Sequence, residues 1–446
     1  MLVAISIVLI EWYKQRGLNK LFNFRREFSK IRMKENIQKK KDISECTLLG
    51  IKGHKKIYVE NNSKNIFICG TTGSGKTVVL ENFINSGVSN QYPMLIMDGK
   101  GDIGEGSILQ SLQKLKQHRK VYVINLTDPK NSDKYNPFKN ANATMIKDML
   151  INLTDWSEEH YKVNTERYLQ RVIQLLLKVE DKLSLKTIVY YVSIDKFIEL
   201  SSLLLKNDVI TKQEHIDNIE LSKISGKIAE SAVARFSTIL ESEIGNVFSN
   251  NGIDIYEAIK ENAIILFILN PLIYPELSPL LGRLITIDSK KAVSKLFTSN
   301  QKRIFFIFDE MNVYASKVFL DLVNKSRSAN VTNILATQSL SDLDEISEAF
   351  REQVIENCNN YIVLRQNSSQ NAEKWANIIG TRGTLEITYQ LSQQGYNTNS
   401  TGLGSARRVR EYLYHPDEIK SLKVGNGIYV NKDLSYHTKL KINKIG

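Results

Sequence analysis

The segment NIFICGTTGSGKTVVLENFINSG, Asn65 to Gly87, decides the fold. Its opening, Ile66-Phe67-Ile68, reads as a buried strand and its close, VVLENFINSG, as a helix. Between them stands Gly70-Thr71-Thr72-Gly73-Ser74-Gly75-Lys76-Thr77, a complete match to GxxxxGK[ST] in the strand-loop-helix setting that this phosphate-binding loop needs. Each residue type has a task. The glycines let backbone N–H groups of Gly70 to Thr77 converge on phosphate oxygens, at a helix N-terminus whose dipole favours negative charge. Lys76 is placed to neutralise the β- and γ-phosphates of ATP, and the Thr77 hydroxyl to ligate Mg²⁺. An ordinary glycine turn is the plain alternative, and the flanking strand and helix argue against it.

Such a loop needs a carboxylate partner, and the apolar run Ile304 to Phe308 ends in Asp309-Glu310. Acids at the carboxyl end of a central strand emerge where α/β folds bind ligands. Asp309 is expected to engage Mg²⁺ through water and Glu310 to polarise the attacking water as general base. A helix cap followed by a first-turn acid is the structural alternative for this pair. The next strand, Asn333 to Ala336, ends in Thr337-Gln338-Ser339, which places Gln338 beside the γ-phosphate as its sensor. Between them Arg327 has no acid partner in its immediate sequence. Its planar guanidinium suits a developing phosphoryl charge supplied from a neighbouring subunit. A surface helix arginine and a polar strand end are the bland readings of Arg327 and Gln338.

Outward from these residues the chain reads as α/β. Short runs typical of buried parallel strands lie at Met94 to Met97, Val121 to Ile124, Ile264 to Leu269 and Tyr361 to Leu364. They alternate with helical segments, which predicts a central, mainly parallel sheet covered on both faces. Neither Gly nor Pro occurs between Phe138 and Ser225, and apolar residues there recur at helical spacing, as in Tyr168, Leu169, Val172, Ile173 and Leu176. The expected organisation is an N-terminal apolar and basic segment (1–60), a first half of the nucleotide-binding domain (61–140), an all-helical insertion (141–250) and a second half (251–446).

The chain has 446 residues and a formal net charge of +12. Its composition is globular, excluding collagen-like and wholly disordered classes. Residues 11 to 60 carry 14 Lys/Arg against 6 Asp/Glu. This excess follows the uncharged MLVAISIVLI and the pair Trp12-Tyr13, and it predicts the inner end of a membrane anchor, or a remnant of one, beside an anionic leaflet. A frayed amphipathic helix, a DNA-contacting collar or a solvated arm are the other readings of this segment. Cys46, Cys69 and Cys358 are too scattered for a metal site and suit a reduced, cytosolic body.

The separation of 233 positions from Lys76 to Asp309 excludes a small nucleotide kinase, and there is neither an LSGGQ-type signature nor a well-placed NKxD. The ordered set GTTGSGKT, LIMDGKGD (Asp98 and Lys100), YNPF (Tyr135 to Phe138), LFILNPLIYPELSPLLGRLI, FIFDEMNVYAS, NKSRSAN, ILATQSLSDL, VIENCNNYIVLRQN and REYLYHPDEIKSL resembles the type IV secretion coupling proteins. These conjugative DNA-transfer ATPases group with FtsK- and HerA-type ring translocases. The resemblance implies a RecA-like motor domain interrupted by a helical domain that faces the substrate, with an N-terminal membrane anchor. It also implies ATP and Mg²⁺ as cofactors, a homo-hexameric ring, and Arg327 as a finger acting in trans, eleven residues before the sensor Gln338. The implied partners are DNA, taken as a single strand with bound relaxase, and the components of a secretion channel, at the cytoplasmic face of the bacterial membrane. Two other functions fit the same residues: a chromosome-partitioning translocase, and an ATP-binding docking receptor without motor activity.

Overall fold

A computed structural model describes residues 45–445 apart from 63, 154, 155, 181, 298–301, 395 and 396, with only the backbone described at 235 and 387–406. The apolar and basic residues 1–44, and with them the expected membrane anchor, lie outside the described residues. Among the described residues no helix is long and apolar enough to cross a membrane.

The chain opens on β1 (Cys46–Lys52) and β2 (Lys55–Glu60), and β3 (Asn65–Cys69) then feeds α1 (Lys76–Ser89). Next come β4 (Met94–Asp98), α2 (Ile108–Leu115) and β5 (Val121–Asn125). A helical block follows: α3 (Ala143–Ile151), α4 (Glu159–Leu176), α5 (Leu185–Val192), α6 (Ile194–Lys206) and α7 (Lys212–Glu241). The chain returns through α8 (Ile255–Lys260), β6 (Ile264–Ile268), α9 (Leu277–Leu296), β7 (Ile304–Asp309), α10 (Lys317–Lys325) and β8 (Val331–Thr337). Then come α11 (Ser341–Asp344), α12 (Glu348–Glu356), β9 (Cys358–Val363), α13 (Ser369–Ile379), β10 (Thr381–Gln394) and β11 (Asn397–Tyr412), and finally α14 (Pro416–Lys420), β12 (Asn426–Asn431) and β13 (Tyr436–Ile442).

Among the described residues eleven strands form one sheet in the order β2-β1-β13-β12-β9-β3-β8-β7-β4-β6-β5. From β9 to β5 every pairing is parallel, and the β12, β13, β1 and β2 extension is antiparallel. The parallel strands are continuous apolar runs because both faces are covered. In β7, Ile304, Phe306 and Phe308 join the core on one face, while Phe305 and Ile307 join the core on the other. Helix α1 supplies Val79, Leu80, Phe83 and Ile84 to the second core. Phe319 of α10 and Trp375 of α13 enter the first, where Trp375 stacks on Phe67 with centroids 5.8 Å apart.

Residues 46–60 correct the sequence reading, which gave them to a basic arm. They form the edge hairpin β1–β2, because Leu49, Ile57 and Val59 are buried while Lys52, Lys55 and Lys56 stay exposed. Lysines along an edge strand are a means of keeping that edge from pairing with another chain. The cations that suggested an anionic partner are, in these three cases, the outer rim of the sheet.

The helical block is built from its own caps and core. The Asn142 side chain accepts from Met145 N at 2.9 Å to start α3, and Thr211 with Glu214 forms a capping box on α7. Tyr168 of α4 packs on Phe197 of α6 with centroids 5.0 Å apart. The chain enters and leaves this block at one place, where Tyr135 N donates to Val247 O and Asn136 N donates to Ile253 O, both at 2.9 Å. A buried ionic cluster pins that crossing to α9. Lys291 Nζ lies 2.9 Å from Asp254 Oδ2 and 2.7 Å from Asp288 Oδ1, and donates to Pro137 O and Lys139 O at 2.7 and 2.6 Å. The Tyr135 hydroxyl donates to Asp288 Oδ2 at 2.8 Å. Burial pushes the Asp288 carboxyl up to about 6 even with Lys291 beside it.

Candidate nucleotide site

Strand β3 ends at Cys69 and the chain then turns sharply into α1. Gly70 fits where no other residue would: a Cβ there would come within 2.5 Å of Leu364 Cβ and 2.6 Å of Ser74 Oγ. Gly75, at φ +110, aims the last turn of the loop into the helix. Ser74 closes the loop internally, its N–H and hydroxyl both donating to Thr71 O at 3.1 and 2.6 Å. From outside, Thr71 N donates to Arg365 O at 3.0 Å, and Gly425 N donates to Ser74 O at 3.2 Å.

The neighbouring strand ends bring the chemistry to this loop. Lys76 is buried and its ammonium donates to Gly70 O at 2.9 Å, with Glu310 Oε1 at 3.3 Å. Gln338, after β8, donates to the same Glu310 oxygen at 3.1 Å, and Thr72 Oγ1 donates to Gln338 Oε1 at 3.0 Å. Thr72, Gln338, Glu310, Lys76 and Gly70 thus form one polar chain across the mouth of the loop. Glu310 sits at φ +46, a left-handed conformation that costs a non-glycine residue on the order of 1 kcal/mol. Its neighbours hold it there: Glu310 N donates to Asp309 Oδ1 at 3.1 Å, and Val313 N donates to Glu310 O at 3.1 Å.

Asp309 is 5% exposed and stands directly opposite Asp98 across the β4–β7 pairing. Burial, then the charges of Asp98 and Glu310, push the Asp309 carboxyl up to about 7. Burial likewise pushes Asp98 up to about 6, although its Oδ1 accepts from Lys100 N at 2.8 Å. Two adjacent buried carboxyls of this kind suit a divalent cation, which favours their ionised form. The donor set also suits Mg²⁺, a hard cation that takes one or two protein oxygens and completes its shell with phosphates and water. Thr77 stands at the start of α1 and Asp309 at the end of β7, one on each side of the loop. Thr71 Oγ1 and Arg365 Nε, in the residues joined by the Thr71 N to Arg365 O bond, are buried without a hydrogen-bond partner among the described residues.

Arg327 is elsewhere. It lies in the turn Ser326–Ala329, before β8 begins, whereas the nucleotide loop faces the end of that strand. Seven residues of strand separate the two by about 20 Å. The Arg327 side chain is exposed and makes no hydrogen bond or ion pair among the described residues, while its neighbour Lys325 reaches Asp321 at 3.6 Å. The structure therefore gathers Gly70 to Thr77, Asp309, Glu310 and Gln338, and leaves Arg327 on the opposite edge of its own subunit. Sequence reasoning assigned no role to Asp98 or Arg365. Asp98 carried a usable signal, an acid ending an apolar strand; Arg365 carried none, because its place depends on β9 lying next to β3.

Fold and site together define a P-loop NTPase of RecA-like architecture. The family model described as the type IV secretion-system coupling protein DNA-binding domain matches residues 54–443, and the chain belongs to that family. Among solved structures, the unbound bacterial conjugative coupling protein TrwBdeltaN70 superposes with a TM-score of 0.63 at 15% identity, covering 92% of this chain and 91% of that one. The plasmid coupling protein TrwB in complex with ADP and Mg²⁺ gives 0.58 at 15% identity, covering 86% of each chain. VirB4 of Thermoanaerobacter pseudethanolicus gives 0.56 at 12% identity, covering 91% of this chain and 98% of that one. An uncharacterized protein of Mycoplasma pneumoniae is 28% identical over 162 residues, which is 36% of this chain and 87% of that protein.

Proposed function

We propose that this chain is an ATP-driven DNA translocase that couples a relaxase-bound strand to a type IV secretion channel. The observation that carries the reading is the polar chain from Thr72 through Gln338 and Glu310 to Lys76, which ties the phosphate loop to a candidate base and sensor. In this reading Gly70 to Thr77 cradle the phosphates, and Lys76 leaves Gly70 O and Glu310 to meet the β- and γ-phosphates. Thr77 and Asp309 hold Mg²⁺, which supplies charge neutralisation at the phosphates. Glu310, released from Lys76, accepts the proton of the attacking water. Gln338 exchanges its bond to Glu310 for one to the γ-phosphate, so loss of that phosphate is felt at β8. Family membership supports the DNA partner, and the TrwB complex with ADP and Mg²⁺ supports the cofactors.

Hydrolysis is completed between subunits. Arg327 is too far from its own loop, so it serves a neighbour in a head-to-tail ring, taken as a homo-hexamer at the cytoplasmic face of the membrane. The test is the pair Lys76→Ala and Glu310→Gln in ATPase and DNA-transfer assays. Both should abolish transfer, and transfer retained by both overturns the motor reading.

A further inference from the structure

Among the described residues strands β10 and β11 stand apart from the main sheet and pair only with each other, from Thr381↔Tyr412 out to Gln394↔Asn397. At about 3.3 Å per residue, the 14 residues of β10 carry this ribbon about 45 Å from its root. An isolated two-stranded ribbon is marginal in water and exposes two unpaired edges, a template for pairing with another chain. The composition is divided along its length. Arg382, Glu386, Arg407, Arg408, Arg410 and Glu411 lie near the root, whereas residues 387 to 406 contain no Lys, Arg, His, Asp or Glu.

The root has a definite address. Leu413 N donates to Gly380 O at 3.0 Å, closing the ribbon just beyond α13. Lys432 donates through its side chain to Ile378 O at that end of α13, and through its N–H to Asn359 O at the start of β9. Asn65, at the start of β3, donates to Asn357 O at 2.8 Å and to Val323 O at 3.2 Å, and accepts from Asn333. Asn333 in turn donates to Ser326 Oγ at 2.7 Å, next to Arg327. The ribbon therefore springs from the same edge of the sheet as Arg327, opposite the edge that carries the phosphate loop.

We infer that the β10–β11 ribbon is an intersubunit arm whose occupant is a second copy of this chain, lying along the neighbour to which Arg327 is presented. This rests on the head-to-tail reading above and adds to it the element that holds the two copies together. A phosphate-gripping arm would carry cations to its end, because nonspecific nucleic-acid affinity comes from neutralised phosphates. The uncharged distal half instead suits edge pairing and amide hydrogen bonding to protein.

The experiment shortens the ribbon in the full chain by replacing Leu385 to Arg408 with an Asn-Gly turn, keeping the root strands. Nucleotide affinity per protomer should stay within twofold and the melting temperature should be unchanged. Assembly in ATP and single-stranded DNA, read by sedimentation velocity, should need at least tenfold more protein. Independently, the full-length chain with a photo-crosslinker at Gln393 should label a differently tagged second copy. Assembly of the shortened chain at the original concentration, or crosslinks only within one chain or to DNA, overturns the arm. A full-length chain that never assembles removes the ring reading and the arm with it, whereas normal assembly by both chains removes the arm alone.

Discussion

Asp98 and Asp309 face each other across neighbouring parallel strands, both buried, with their carboxyls pushed up to about 6 and about 7. Burial raises both, and the Asp98 charge adds to the rise at Asp309, so the nucleotide-free protein holds an unfavourable pair at the mouth of its phosphate loop. The strain is local and is relieved by a proton or a cation.

The first prediction follows from its sign. A carboxyl raised in the folded state binds protons that the unfolded chain has released, so the nucleotide-free protein loses stability as pH rises from about 4 to about 7. Asp98→Asn should therefore stabilise the nucleotide-free protein at pH 8 by on the order of 2 kcal/mol, seen as a higher melting temperature, and leave it nearly unchanged at pH 4. Thermal melts at the two pH values check this; an equal effect at both would contradict it.

Glu310→Gln removes the proposed base and keeps the shape of the Gln338 contact. Nucleotide affinity should be retained while turnover falls by about 10²–10⁴. Single-turnover hydrolysis alongside a binding titration separates the two quantities.

Arg327→Ala should leave the nucleotide affinity of a protomer unchanged and lower turnover in the assembly by about 10³ or more. Mixing it with Lys76→Ala is the sharper measurement. The Lys76→Ala subunit contributes an intact arginine and the Arg327→Ala subunit an intact loop, so the mixture should regain activity that neither has alone.

Lys291→Met leaves the Asp254 and Asp288 carboxyls buried without their cation. Removing one partner of a buried pair costs about 3–5 kcal/mol, to be read from the midpoint of chemical unfolding. The loss should be largest for the helical block, because this lysine ties both of its crossings to α9.

Thiol chemistry reports on the sheet. Burial pushes the Cys69 thiol up to about 12 and Cys358 higher still, while Cys46 is only partly buried at the start of β1. A thiol reagent should label Cys46 alone in the folded protein and all three cysteines in denaturant.

What the sequence by itself determined is the set of elements buried on both sides and the loop between two of them. The parallel strands β3 to β9 were legible because residues covered on both faces must be apolar throughout, as in Ile304 to Phe308. The phosphate loop was legible because only Gly tolerates the positions of Gly70 and Gly75. The edge hairpin β1–β2 was not, since half its residues face water and read as a charged arm, and residues 381–412 contain no continuous apolar run to betray the ribbon β10–β11. Tertiary structure alone decided the strand order, and with it the pairing of Asp98 with Asp309 and the nearness of Arg365 to Thr71. It also decided that Gln338 and Arg327, eleven residues apart in sequence, stand at opposite ends of one strand. Spacing along a chain is a local quantity. Which sheet edge a residue occupies depends on the direction in which a strand is threaded among its neighbours, and that follows from packing the whole core.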